Sequence, residues 1–226
     1  MIEVERITKR YADTVAVDAL SFQVQKGEIL GLLGPNGAGK TTTMRILTGY
    51  LAADAGNATV AGWDVAEHSL EARSHIGYLP ENNPLYQDMD VRAYLSFIAA
   101  MRGLPRAELR NRVNHVVEMT GLDKMVHKLI GELSKGYCQR VGLAQAMVHD
   151  PEILILDEPT VGLDPNQIVE IRSLIRSFGK EKTVILSSHI LPEVAATCSR
   201  IIILNRGKLA GSGTPEEMAA RSRGGN

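Results

Sequence analysis

The chain has no long apolar run. Its apolar stretches, such as "ILIL" (Ile153–Leu156) and "IIIL" (Ile201–Leu204), are of strand length, far short of the roughly 20 apolar residues a membrane-spanning helix needs. The apolar core of a signal peptide is missing too, since "MIEVERITKRY" is charged from its third residue. Cysteine is scarce. Cys138 and Cys198 have neither CxxC spacing nor a nearby His pair, so they read as free thiols in a reducing compartment rather than as a disulfide framework or a zinc site. No charge of one sign dominates: 25 Lys and Arg face 26 Asp and Glu, for a net charge of -1. Without a global basic field, nucleic acid is not expected as a partner. There is no internal repeat, no low-complexity tract and no long heptad run. What remains, 226 residues that are 44% apolar and 23% charged, suits a globular chain with a real core and a single domain over 1–226.

Strand patterns fill the first 30 residues, where "IEVERITKRY" and "LSFQVQKGE" alternate. "EILGLLG" is a short apolar run, as in a buried parallel strand. A Gly-rich loop follows, then a helix expected over about Gly39 to Tyr50. "NATVAGWDV" reads as strand and turn, and "HIGYLP" as a strand stopped by Pro80. From there to His149 the spacing becomes helical, which marks a helical insert over about 82–149, with Gly103-Leu104-Pro105 and Gly121 between its helices. Strand and helix then alternate again through "EILILDEP", a helix after Pro165, "KTVILSS", a helix after Ile190, and "RIIILNRG". Such alternation predicts an α/β domain with a largely parallel sheet. The tail, "RSRGGN", is expected to fray.

"GPNGAGKTT", Gly34 to Thr42, fits G-x-x-x-x-G-K-[ST] without a mismatch. It stands after an apolar strand and before a helix, as a phosphate-binding loop must. Gly34, Pro35, Asn36, Gly37, Ala38 and Gly39 would wrap phosphates, with the backbone N–H groups of all but Pro35 available to point inward, and the helix start adds partial positive charge. Lys40 would reach the β- and γ-phosphates of ATP, and the Thr41 hydroxyl would meet Mg²⁺. The plain alternative is a Gly-rich turn that binds nothing. "ILILDEP" supplies a second half: Asp157 at a strand end can hold Mg²⁺, and Glu158 is a candidate general base for water. His189, in "VILSSHI", stands at the tip of the next strand, where ligands of open α/β sheets bind, although the residues alone allow a structural histidine equally well. "LSKGYCQR" then poses a puzzle. Ser134, Lys135 and Gly136 precede a helix and form a small oxyanion site, although a helix cap alone would also explain Ser134. They carry no nucleophile, base or metal ligand.

"GPNGAGKTT", "LSKGYCQR", "ILILDEP", "GLDP" and His189 occur in the order and spacing of the ATP-binding cassette (ABC) ATPases, and the resemblance covers nearly the whole chain. It implies a P-loop NTPase (RecA-like) α/β core with an N-terminal antiparallel β part and an inserted helical subdomain. It also answers the puzzle. In that family two cassettes pack head to tail, and the signature of one, here Ser134, Lys135 and Gly136, closes over the ATP held by the other. By the same resemblance, Tyr11 stacks on adenine and Thr42 contacts the α/β-phosphates. Asp164 reaches across the pair, His189 touches the γ-phosphate, and Glu158 is the catalytic carboxylate. Glu81 departs from the pattern, since most members have Gln there. Glu keeps an oxygen ligand for Mg²⁺ but adds charge beside Asp157 and Glu158.

In transporters of this family, a groove between the core and the helical insert receives a short helix of a membrane subunit. Leu85 and Tyr86 are expected in or near it. The chain is similar to stand-alone cassettes of exporter systems. The resemblance therefore implies an ATPase subunit on the cytoplasmic, inner face of the cell membrane, peripheral to it, with a second cassette (a homodimer on ATP binding) and an integral membrane permease as partners. One alternative is a non-transport ABC ATPase acting on ribosomes or DNA, but those members carry two cassettes with a charged linker, or long coiled coils. Another is a P-loop kinase or GTPase. That reading leaves "LSKGYCQR" unexplained, and no NKxD-type guanine motif is present.

Overall fold

The computed structural model describes residues 2–224. The chain opens with β1 (Ile2–Tyr11), β2 (Thr14–Val24), β3 (Ile29–Leu33), α1 (Lys40–Leu47), β4 (Ala55–Val60), β5 (Trp63–Asp64), α2 (Ser69–Ser74) and β6 (Ile76–Leu79). Three helices follow, α3 (Val91–Met101), α4 (Arg106–Thr120) and α5 (Lys135–Met147). Alternation resumes with β7 (Ile153–Leu156), α6 (Pro165–Phe178), β8 (Thr183–Ser188), α7 (Leu191–Ala195), β9 (Arg200–Asn205), β10 (Lys208–Gly213) and α8 (Pro215–Gly224). One sheet, ordered β2-β1-β4-β5, is antiparallel. The other, ordered β10-β9-β3-β8-β7-β6, is parallel from β9 to β6, with β10 turned back antiparallel on β9.

The unbroken apolar runs follow from burial on both faces of the parallel strands. Along β7, Leu154 and Leu156 enter a core shared with α3, α4 and α5, while Ile153 and Ile155 enter another shared with α1 and the antiparallel sheet. Each such side chain contributes about 1.5–3 kcal/mol on leaving water. The helix α3 starts where the Asp90 side chain accepts from Ala93 N at 2.8 Å, and buries Val91, Tyr94, Leu95 and Ala99 on one face. The next helix, α4, ends at Gly121, which turns into the left-handed region at φ 67°. Gly77 lets α5 lie directly on β6, because a Cβ there would run into the Ala146 carbonyl.

Several local expectations are corrected. The first helix stops at Leu47 rather than Tyr50, because Gly49 leaves the helical region with φ 64°. The helix after Ile190 is only five residues long, and α2 and β10 were not anticipated. The hairpin to β10 turns on Arg206 and Gly207, at φ 50° and 76°, a pair of positive angles that matches the strand twist. The expected frayed tail is helical as far as Gly224, and its last two residues, 225 and 226, lie outside the described residues.

Candidate functional site

Four parallel strands end at the same edge of the sheet: β3 runs into the phosphate loop, β6 into Glu81, β7 into Asp157 and Glu158, and β8 into His189. There they border a cavity of 420 Å³ lined by Tyr11, Asn36, Gly37, Ala38, Gly39, Lys40, Thr41, Thr42, Glu81, Glu158 and His189, with Thr14, Ala16 and Val161 completing the wall. The loop geometry explains its glycines. Gly39 caps α1 at φ 101°, outside the range of other residues, and an added Cβ would meet the Ala16 carbonyl. No side chain caps α1, so its first N–H groups stay open toward the cavity. Gly34 and Pro35 stand behind the wall and offer their carbonyls to Lys40.

Lys40 is 6% exposed. Its Nζ donates to Gly34 O at 2.8 Å and to Pro35 O at 3.3 Å, and lies 3.2 Å from Glu158 Oε1. That last approach is an ion pair without hydrogen-bond geometry, since Oε1 is buried with no hydrogen-bond partner. Glu158 Oε2 lies 3.1 Å from His189 Nδ1. Glu158 itself sits at φ 48°, a left-handed conformation that costs a non-glycine residue free energy and is concentrated at functional sites. Its N–H donates to Ser187 Oγ at 2.8 Å, and the Ser187 hydroxyl donates to Asp157 Oδ1 at 2.6 Å. One serine thus fixes both acidic residues.

Asp157 is fully buried, and its Oδ2 has no hydrogen-bond partner. Burial pushes its carboxyl above the usual range. Hydrogen bonds from Ser187 and Thr41 pull the other way, Glu158 raises it further, and Lys40 lowers it. An orphaned buried carboxylate oxygen beside a threonine hydroxyl fits a hard cation. Among the described residues no group of three His, Cys, Asp or Glu could hold a metal by itself. The fit is therefore to an ion such as Mg²⁺, which takes one or two protein oxygens and completes its shell with phosphate and water.

The signature residues lie elsewhere. Ser134, Lys135 and Gly136 do not line the 420 Å³ cavity. Ser134 occupies the N-cap position of α5, yet its hydroxyl makes no capping bond, so capping does not account for it. Gly136 is buried, and its bare Cα faces the Gln167 side chain, not the solvent. The Gln167 side chain, from the start of α6, thus packs close over the start of α5. Asp164 also acts locally, since its Oδ1 accepts from Asn166 N and Gln167 N at 3.0 Å and caps α6. Lys135 lines a second cavity of 700 Å³, which shares Glu81 and Val161 with the first and includes Leu85. Tyr86 is 53% exposed and packs on Tyr94 and Phe97, with ring centroids 5.8 Å apart in each pair.

A family model described as "ABC transporter" matches residues 17–161, more than half of the chain. The chain belongs to the ABC transporter family. Over 223 residues the cassette is 40% identical to the probable multidrug ABC transporter ATP-binding protein YbhF of Escherichia coli (strain K12), across 98% of this chain and 38% of that protein. It therefore spans well under half the length of that relative. Over 215 residues it is 39% identical to the Nod factor export ATP-binding protein I of Burkholderia pseudomallei (strain 1710b), across 95% of this chain and 71% of that protein. Among solved structures, cbiO1 of Clostridium perfringens, part of the ABC transporter complex cbiONQ, superposes with a TM-score of 0.88 at 30% identity, across 98% of this chain and 91% of that one. The α/β architecture expected from the motifs is the cassette fold.

The motif reading missed residues that organise this site. Ser187 is one. Another is Glu193, whose Oε2 accepts from Thr160 Oγ1 at 2.5 Å and from Ser188 Oγ at 3.3 Å. The pair ties the segment after Glu158 to the segment after His189 within the cassette. Gln139 adds a third tie, from α5 to Pro159 O at 2.8 Å.

Proposed function

We propose that this cassette binds and hydrolyses ATP as one half of a head-to-tail pair and drives a separate membrane-spanning subunit, in an export system. The observation that carries the reading is the split of phosphate-binding groups within one chain. The loop, Glu158 and His189 share a cavity, while Ser134, exposed and uncapped at a helix start, lies outside it. A second chain brought head to tail would complete each cavity with the other's signature, and the ATP would be buried in the interface. Export is favoured by the relatives named for multidrug transport and Nod factor export.

In this reading Tyr11, half-exposed at the cavity mouth, stacks on adenine. The N–H groups of Asn36, Gly37 and Gly39 and the α1 start bind phosphate oxygens, while Ala38 N–H holds the loop closed on Pro35 O at 3.1 Å; Thr42 meets the α/β-phosphates, and Lys40 turns from the loop carbonyls to the β- and γ-phosphates. Thr41 and Asp157 would hold Mg²⁺, with Glu81 at the cavity rim as a further oxygen. When bound, that ion neutralises charge on the β- and γ-phosphates. Glu158 accepts a proton from the attacking water, and His189 contacts the γ-phosphate while it orients Glu158. Asp164 keeps Oδ2 for the opposite chain. Residues 1–226 act as one nucleotide-binding domain, and the helical subdomain over about 82–149 carries the docking surface near Leu85 and Tyr86. Among the described residues no helix is long and apolar enough to cross a membrane, so in this reading attachment to the inner face of the cell membrane rests on the permease.

Ser134→Arg gives an expected outcome specific to the paired arrangement. The chain keeps its affinity for ATP, measured by equilibrium binding to the isolated cassette, and loses turnover. A drop in binding would mean that Ser134 serves its own nucleotide. For the transport assignment, the tagged chain is purified from detergent-solubilised membranes of its host and the bound proteins are identified by mass spectrometry. A multi-span membrane protein is expected. An eluate of ribosomal or DNA-repair proteins would overturn transport and leave the ATPase chemistry standing.

A further inference from the structure

A cavity of 660 Å³ lies between α6 and the connection from α7 to β9, and shares no lining residue with the nucleotide cavity. Arg172, Arg176 and Lys180 line it at four-residue intervals. Four helical residues rise about 6 Å, so the cations form a row rather than a point. Among the described residues no acidic side chain lines the cavity and none of the three cations forms an ion pair. In a chain of net charge -1, that is a local excess without its counter-charge. The helix dipole accounts for Arg176, in the last turn of α6, and for Lys180 just beyond it. It does not account for Arg172, which lies further in: its Nε is buried and closed to a ligand, but among the described residues its terminal Nη1 and Nη2 are not buried in the same way and keep N–H donors for an acceptor.

We infer that this cavity binds a small solute carrying two phosphate groups. Guanidinium forks match phosphate oxygens better than any other side chain does. Arg172 and Arg176 stand one turn apart on α6, about 6 Å at the helical rise, and Lys180 lies beyond the helix end, so the three cations are strung out further than one phosphate needs and suit two held apart by a sugar-sized spacer. The hydroxyls fit such a spacer: Ser177 Oγ already donates to Leu174 O at 2.7 Å and Thr197 Oγ1 to Glu193 O at 2.9 Å, so both are left to accept from ligand hydroxyls. The volume lies within the range of small-molecule sites. A ligand here would bridge α6, which follows Asp164, to the segment after α7, which follows His189. The site does not depend on the transport assignment.

The test is isothermal titration of fructose bisphosphate into the full chain saturated with ADP, with sodium sulfate at matched ionic strength as the reference anion. The expected result is one bisphosphate per chain, with affinity at least about tenfold weaker in Arg172→Gln/Arg176→Gln and ADP affinity unchanged. Lys180→Gln, at an exposed position that cannot disturb packing, weakens binding at least about threefold and decides the matter if the double variant does not fold. The inference is overturned if the ADP-loaded chain binds no bisphosphate, if sulfate binds as tightly, or if the variants bind as the parent does.

Discussion

Glu158→Gln is expected to lower ATP turnover by about 10²- to 10⁴-fold, the range that a positioned general base contributes, while ATP binding is kept or strengthened. The amide preserves shape, and the backbone that holds the residue at φ 48° through Ser187 is untouched. What is lost is a carboxylate that can take a proton from water. The same change also releases Lys40 from the only carboxylate with which it forms an ion pair among the described residues, at 3.2 Å, and leaves it freer to meet a triphosphate. The two consequences separate in measurement. Phosphate release reports turnover, and equilibrium titration reports binding. If the proposed head-to-tail pair forms, light scattering with ATP then reports a trapped pair of cassettes, because a nucleotide that is bound but not hydrolysed would hold the interface closed. Turnover within about twofold of the parent, far less than the loss of a general base causes, would remove Glu158 from the proton-transfer step. Reduced turnover matched by lost ATP binding would make its role one of loop geometry.

The phosphate loop was legible because backbone geometry dictates its residues. Gly39 at φ 101° and Gly34 beside the Leu204 carbonyl admit no side chain, so the glycine spacing itself is the signal. Asp157 and Glu158 were legible for a related reason: a buried apolar strand that ends in two acids has little to do with them except chemistry. Strand order was not legible. β8 inserts between β3 and β7, and that insertion brings Ser187 against both acidic residues and His189 against Glu158. Nothing in the linear spacing announces it, and the Thr160–Glu193 contact likewise joins residues far apart in the chain. The α6 cap could have been read more fully. Asp164 before Pro165 is an N-cap followed by proline at the first helical position, and its capping role is local whatever it does across a pair. α2 stayed hidden because six residues that bury only Ala72 show no helical period. β10 stayed hidden because "KLAGSG" buries nothing fully on an edge strand and so carries no alternation.

Lys40→Ala is expected to weaken ATP binding by about 2–5 kcal/mol, the usual cost of truncating one partner of a buried charged pair, which is roughly 30- to several-thousand-fold in Kd. Lys40 offers three N–H donors; two are given to Gly34 O and Pro35 O, and the ammonium also pairs with Glu158 by charge. A triphosphate must draw Lys40 away from these partners. The cation is therefore preformed and desolvated but not free, and part of its affinity for phosphate is offset by leaving Glu158. The alanine variant has two faults at once. It lacks a cation for the β- and γ-phosphates, and it leaves the Glu158 carboxylate, buried at 6% exposure, facing an incoming polyanion with His189 beside it. The double variant Lys40→Ala/Glu158→Gln separates them, since two residues in contact give an interaction energy that a cycle isolates. If Lys40 acts mainly on phosphate, the double variant binds ATP as poorly as Lys40→Ala. If it serves mainly to neutralise Glu158, removing that charge restores most of the affinity. Thermal melting of each variant in the absence of nucleotide confirms that the fold is intact. ATP binding by Lys40→Ala within a few-fold of the parent, well below the truncation cost given above, would show that the loop N–H groups and the α1 start hold the phosphates without the lysine.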